Sequence, residues 1–225
     1  MIAALSQNSK PTPFHHMIAY LAEERDRRLH RCYTLNIDGM EDSFKYLETN
    51  EPLDSKEKPL KVQLHGNLRY TRCTLCTKYY TLDPPRHLNF TDLECTPCVV
   101  HGMSRRRRPT FRAIRPNVVL YGSDLNPNAA EIMKMMKSDW GNQNCVADRL
   151  IVVGTSAKVG DVQRMIMDCG LAVKARGGKV IWIGLGKPPP DISEIFDEIL
   201  LCDCQVVAYY FFEDIDFSKI ATKWI

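Results

Sequence analysis

Two cysteine pairs carry the clearest chemistry in this sequence. Cys73 and Cys76 lie in RCTLC, Cys95 and Cys98 in ECTPC, and eighteen residues separate the pairs. Each C-x2-C turn offers two soft sulfurs to one metal, and a hairpin of that length brings the second pair round to close a tetrahedron, as in a structural zinc ribbon. Four sulfurs leave no open position for water, so such a zinc holds structure and any catalysis falls to other residues. Two disulfides or chance pairs are the competing readings of the same spacing. The remaining cysteines, Cys32, Cys145, Cys169, Cys202 and Cys204, are scattered, and the total of nine is odd. That fits reduced thiols in a reducing compartment better than a secreted disulfide framework.

Further candidates sit where apolar runs end. Cys32–Leu35 reads as a short buried strand and gives way to Asn36, Ile37, Asp38 and Gly39, a polar corner of the kind at which open α/β sheets place ligands. Taken alone, that corner is an Asx turn. Lys61–Leu64 ends at His65-Gly66, and Leu150–Val153 ends at Gly154-Thr155-Ser156, where free backbone N–H groups could hold a phosphate or ribose. A lone histidine is more often a strand-end cap, and a small strand-to-helix turn more often serves packing.

The elements that must position these residues follow from periodicity. Pro11 and Thr12 precede an apolar pattern at Phe14, Met17, Ile18 and Leu21, a helix. Glu41–Lys61 is charged and contains Pro52 and Pro59, and it reads as an exposed excursion without its own core. The cysteine ribbon spans about Arg72 to Val99, and the basic loop Arg105 to Arg108 follows. After Pro116 the sequence predicts strands at Val118–Tyr121, Leu150–Val153, Val180–Ile183 and Glu198–Leu201, with helices over Ala129–Met136 and from Val159. Such alternation implies βαβ units and a parallel sheet. A chain of 225 residues, 44% hydrophobic, can build one sizeable core and a small satellite module. No run is long enough to cross a bilayer, Met1–Leu5 is too short for a signal peptide, and a soluble protein without membrane contact is expected. The net charge of +3 selects no partner.

Read in order, TLNID at Thr34–Asp38, LHGN at Leu64–Asn67, the two C-x2-C pairs, RPNVVLYG at Arg115–Gly122 and GTSAKV at Gly154–Val159 resemble the sirtuin family of NAD-dependent protein-lysine deacylases. The likeness is strongest to its fungal nuclear class that deacetylates core histones. The resemblance implies a Rossmann-like parallel α/β sheet with an inserted zinc-ribbon module, NAD and zinc as cofactors, an acetylated histone as partner, and a nuclear location, with cytoplasm the alternative. It implies that the substrate's acetyl oxygen displaces nicotinamide from NAD, and that His65 then acts as general base toward a ribose hydroxyl, a role suited to a ring that exchanges protons near neutrality. By the same matching, Asn36 and Asp38 line the nicotinamide-ribose pocket, and Gly154, Thr155, Ser156 and Cys204 contact the adenosine side. Val118, Leu120, Tyr121 and Gly122 pair with the substrate peptide. The implied domains are 1–66 with 110–212 for NAD, 67–109 for zinc and the basic loop, and a tail at 213–225.

Departures from the family pattern are equally legible. The sequence starts at the helix beyond the family's first strand and glycine-rich turn, so the expected sheet is incomplete at its N-terminus, through either a fragment or a paralogue that lost catalysis. Leu35 replaces a glutamine, Ser123 a glutamate, Gly184 an asparagine and Cys202 a glycine. A reading of another class follows: an inactive zinc-ribbon module that binds chromatin or nucleic acid, with weak phosphate contacts from Arg105 to Arg108.

Overall fold

The computed structural model describes residues 9–23, 28–49, 51–82, 95–100, 114–119, 126–141 and 146–213. Leu120, Tyr121, Gly122, Ser123, Cys145 and the basic loop Arg105 to Arg108 lie outside them. The chain divides into two compact units, Met1–Lys10 with Arg31–Ile132, and Pro11–His30 with Met133–Ile225.

In the first unit, β1 (Cys32–Thr34) and β2 (Lys61–Gln63) pair in parallel, with Cys32 opposite Lys61 and Thr34 opposite Gln63. β3 (Gly66–Cys73) is the centre of a separate antiparallel sheet, flanked by β4 (Tyr79–Thr81) and β5 (Ile114–Val118). The strand expected at Val118–Tyr121 therefore begins earlier, at Ile114, and its described part lies antiparallel to Gly66–Cys73; Leu120 and Tyr121 fall outside the described residues. Pro116 is tolerated because β5 is an edge strand among the described residues, where a missing N–H costs little. A short helix, α1 (Thr96–Val100), follows Cys95.

Glu41–Lys61 is a correction to the sequence reading. Phe44, Leu47 and Leu53 are buried, and so are Glu41, Asp42, Thr49 and Lys61. The apolar side chains are thus core, and the charges go inside because they meet one another. The Lys61 ammonium, fully buried, contacts the Asp42 carboxylate directly and lies 3.8 Å from Glu41 Oε2.

The second unit is built on a parallel sheet, β6 (Arg149–Val153), β7 (Lys179–Gly184) and β8 (Glu198–Leu201), in that spatial order. These strands match the predicted ones to within a residue at each end. Between β6 and β7 the chain forms α2 (Gly160–Lys174), which buries Val162, Ile166, Gly170 and Val173 at helical spacing. Gly170 is required there, since a Cβ would stand 2.7 Å from Ile195. Trp182 is buried and meets Phe196 edge-on at 5.3 Å, and a large apolar side chain buried this way stabilises the fold by about 1.5–3 kcal/mol. The predicted first helix, Pro13–Ala22, packs with the last, Cys204–Glu213, through Met17, Ala208 and Phe212. The helix Ala129–Trp140 spans the boundary between the units.

Candidate functional site

The four cysteines of the two pairs come together. Their sulfurs all lie within 4.8 Å of one another, with Cys73 and Cys98 Sγ 3.6 Å apart and Cys76 and Cys95 Sγ 3.4 Å apart. These separations suit the edges of a tetrahedron around zinc and are far longer than a disulfide's bond of about 2.05 Å. All four thiols are free. The local chain explains the convergence: the β3 end and the turn to β4 bend back on themselves, with Thr77 N–H donating to Cys73 C=O at 3.0 Å and Cys73 N–H to Lys78 C=O at 2.9 Å. Leu75 N–H also points at Cys73 Sγ, 3.4 Å away. Burial works to raise the Cys95 thiol, but hydrogen bonds, first from the Tyr80 hydroxyl, bring it down to about 7, whereas burial pushes Cys73 and Cys98 up. The donor set, four soft sulfurs without an open position, fits a structural zinc and no hydrolytic one.

The second group of candidates gathers at the C-terminal end of the β1–β2 pair. Because Thr34 is in register with Gln63, the two strands release Leu35-Asn36 and Leu64-His65 side by side. Leu64 N–H donates to Thr34 C=O at 2.9 Å, and Gln63 Nε2 donates to Asn36 C=O at 3.4 Å. Asn36 N–H is held by Thr34 Oγ1 at 3.0 Å, which leaves its side chain at an exposed position. Asp38 Oδ1 accepts from Met40 N–H at 3.0 Å, the Asx turn its residue type suggests.

His65 is half-buried and is pinned through its backbone. Its C=O accepts from Val119 N–H at 2.9 Å, and the next residue, Gly66, pairs with Val118 of β5. Gly66 has φ +83, and a Cβ on it would stand 2.1 Å from the Asn117 carbonyl oxygen. Only glycine permits that approach. The histidine is thereby fixed at the end of the strand that the resemblance assigns to substrate.

Beneath this corner lies a buried polar network that the sequence reading did not single out. Asp42 accepts from Lys61 Nζ, from Thr49 N–H at 3.2 Å and from Asn67 Nδ2 at 3.2 Å, and pairs with Arg69 at 3.1 Å. Asn67 Nδ2 also donates to Gln63 Oε1 at 2.6 Å. From the other side Asn126 Nδ2 donates to the carbonyls of Leu64, at 2.7 Å, and Gln63, at 3.2 Å. Asn128 Nδ2 donates to Glu51 at 2.7 Å, while its Oδ1 accepts from Leu53 N–H at 3.3 Å. The one available signal for these asparagines was NPN before an apolar helix, a capping pattern. Nearby, desolvation first and then the charge of Glu41 push the Cys32 thiol up to about 12, which removes it as a nucleophile.

In the second unit, Gly154 follows β6 with φ +62, and a Cβ on it would meet nothing within 4 Å. Its glycine answers a backbone requirement rather than a close neighbour. Thr155 Oγ1 accepts from Ala157 N–H at 3.0 Å, and Ser156 is exposed, so the turn is open with one hydroxyl free of burial. Cys204 opens the last helix, whose first turn is capped by Asp203 Oδ1 accepting from Gln205 N–H at 2.9 Å. At Gly184, where the resemblance expects asparagine, a Cβ would stand 3.3 Å from Trp182 Nε1. That indole donates to Gly186 C=O at 2.8 Å and takes part of the room a longer side chain would need.

Comparison with known proteins places these features. The profile of the Sir2 family matches residues 1–161. The chain is 36% identical over 219 residues to the NAD-dependent protein deacetylase hst4 of Emericella nidulans, covering 92% of this chain and 36% of that protein. It is 33% identical over 218 residues to the NAD-dependent histone deacetylase HST4 of Saccharomyces cerevisiae, covering 90% and 57%. It thus spans between about a third and somewhat over half the length of these curated relatives. In fold it is similar to Sir2 solved with the inhibitor EX-527, 2'-O-acetyl-ADP-ribose and a deacetylated p53 peptide, with TM-score 0.61, 23% identity, and coverage of 93% of this chain and 74% of that one.

Proposed function

Because the chain belongs to the Sir2 family, we propose that it serves an NAD-dependent protein-lysine deacetylase whose substrates are acetylated histones and whose place of action is the nucleus. The observation that carries this reading is the anchoring of His65 at the end of β5, through Val119 N–H and the Gly66–Val118 pairing. A general base must stand beside the reacting group in a fixed pose, and this backbone clamp supplies one. The names of the relatives, deacetylases of proteins and of histones, support the substrate class.

In this reading, NAD when bound supplies the ADP-ribose acceptor for the acetyl group and releases nicotinamide. Taken unit by unit, the residues suit polar ligand groups: in the first, Asn36 offers an exposed carboxamide on a backbone already tied down, and in the second, Gly154-Thr155-Ser156 is an open turn at a strand end. With NAD bound, His65 would take a proton from a ribose hydroxyl. By the family resemblance, Asn36 and Asp38 would orient the ribose, and Gly154, Thr155, Ser156 and Cys204 would serve the adenosine side. The peptide would add as a strand beside Val118, where backbone bonds give affinity, with Leu120, Tyr121 and Gly122, outside the described residues, as the further partners that the family resemblance implies. Cys73, Cys76, Cys95 and Cys98 hold zinc and keep β3 and β5 in place. The test is multiple-turnover formation of deacetylated peptide, with nicotinamide release, from NAD and an acetylated histone peptide by the zinc-loaded protein. His65→Ala should lower the rate by about 10²–10⁴-fold. An unchanged rate would remove His65 from the chemistry, and no release from the wild-type chain would defeat the deacetylase reading of it.

A further inference from the structure

Among the described residues outside the cysteines, the Tyr80 side chain is aimed at the sulfur cluster. Tyr80, on β4, places its hydroxyl 3.1 Å from Cys95 Sγ. Its pose is set from three sides. The β3–β4 register puts Tyr80 opposite Thr71, whose hydroxyl donates to the Tyr80 carbonyl at 3.4 Å. The ring packs on the cluster formed by Cys73, Cys95, Cys98 and Ile114. Lys78 lays its ammonium over the ring, 5.7 Å from the centroid, an attraction that holds the ring and brings a positive charge toward the sulfurs.

From this geometry we infer that Tyr80 is an outer-shell partner of the zinc site, donating its hydroxyl proton in a hydrogen bond to the Cys95 thiolate and thereby holding that ligand and the metal. Between a phenol and a thiol either group can donate, but a metal-bound sulfur has no proton, so the phenol must be the donor. Four thiolates around one divalent zinc form a net anion. A hydrogen bond and a nearby ammonium offset that excess charge and fix the direction of the sulfur lone pairs. Cys95 benefits most, because it lies at the entry to the second pair and precedes a helix of a single turn and a half. The inference rests on the zinc reading of the cysteine cluster and is independent of whether the chain deacetylates anything.

The experiment compares zinc retention by the full chain and its Tyr80→Phe variant, in competition with a chromogenic chelator at fixed pH. Phenylalanine keeps the ring packing and deletes only the donor, so a purely space-filling role would leave retention unchanged. The expected result is a zinc dissociation constant raised by roughly 10–100-fold, with faster release. A change of less than about threefold would overturn the proposal. Cobalt substitution supplies a second readout, since losing a hydrogen bond to a thiolate moves the sulfur-to-metal charge-transfer band to lower energy. If Tyr80→Phe fails to fold, fluorotyrosine at position 80 retains the ring and strengthens the donor. The cobalt band must then move to higher energy, and a band that stays put counts against the hydrogen bond. Wild-type protein that binds less than one zinc per chain would instead defeat the metal reading itself.

Discussion

Glu51 shows how a single half-buried carboxyl can make stability depend on pH. Burial is the main cause that raises its pKa, opposed by the hydrogen bond from Asn128, and the negative charge of Asp42 adds to the rise. A carboxyl whose folded pKa lies above its unfolded value of about 4.3 favours the folded state while protonated. Its contribution is complete below the unfolded pKa and is lost as pH rises through the folded one. Glu51→Gln imitates the protonated form and keeps an oxygen to accept from Asn128. The variant's melting temperature should therefore gain on the wild type's as pH is raised from about 4 to about 7. A difference that stays flat across this window would show that Glu51 ionises in the fold without penalty. The same residue illustrates what sequence could not reveal: nothing in TNEPLD distinguishes a solvated glutamate from one enclosed by asparagines that arrive from residue 128.

At the scale of elements, legibility depended on whether the determinant was local. The β6–α2–β7–β8 run was readable because its apolar residues repeat with the period of the structure they form, and the cysteine pairs because two short spacings contain the whole chemistry. The start of β5 was hidden because VVLY is the more apolar stretch, whereas IRPNV becomes a strand by lying against β3. Glu41–Lys61 failed for a related reason: its charges look solvated until Lys61 is seen between Asp42 and Glu41. This arrangement predicts a particular pattern of mutational cost. Lys61→Met would leave the buried Glu41 and Asp42 carboxylates without the one buried ammonium, with only the half-exposed Arg69 still on Asp42, which should destabilise the protein by about 3–5 kcal/mol in denaturant unfolding. Adding Asp42→Asn removes one of those charges and should recover at least about 1 kcal/mol of the loss. Additive losses would mean that Asp42 acts mainly through Arg69, Asn67 and Thr49, and that Lys61 is held for its hydrocarbon stem.

For the molecule as a whole, the two units differ in what holds them together. The second has an apolar core of its own, with Val152, Val180, Trp182, Ile183, Ile195 and Phe196 all buried. Around the cysteines, among the described residues, the buried cluster is Cys73, Cys95, Cys98 and Ile114, with Cys76 and Tyr80 against it. A metal held by the four sulfurs would supply much of the free energy that orders β4 and the five-residue helix there. The opposite end of β3 has another support, since Asn67 is tied to Asp42 and Gln63. Chelation of zinc at neutral pH should thus produce a graded response in amide hydrogen exchange. Protection should be lost from Thr71 to Thr81, be largely retained at Gly66 and Asn67, and remain unchanged in β6, β7 and β8. Acid should give the same order, because protons compete with zinc for the thiolates. If β7 amides exchanged in step with those of β4, the metal would be supporting the parallel sheet as well, and the ribbon could no longer be regarded as a module that folds around its own ion.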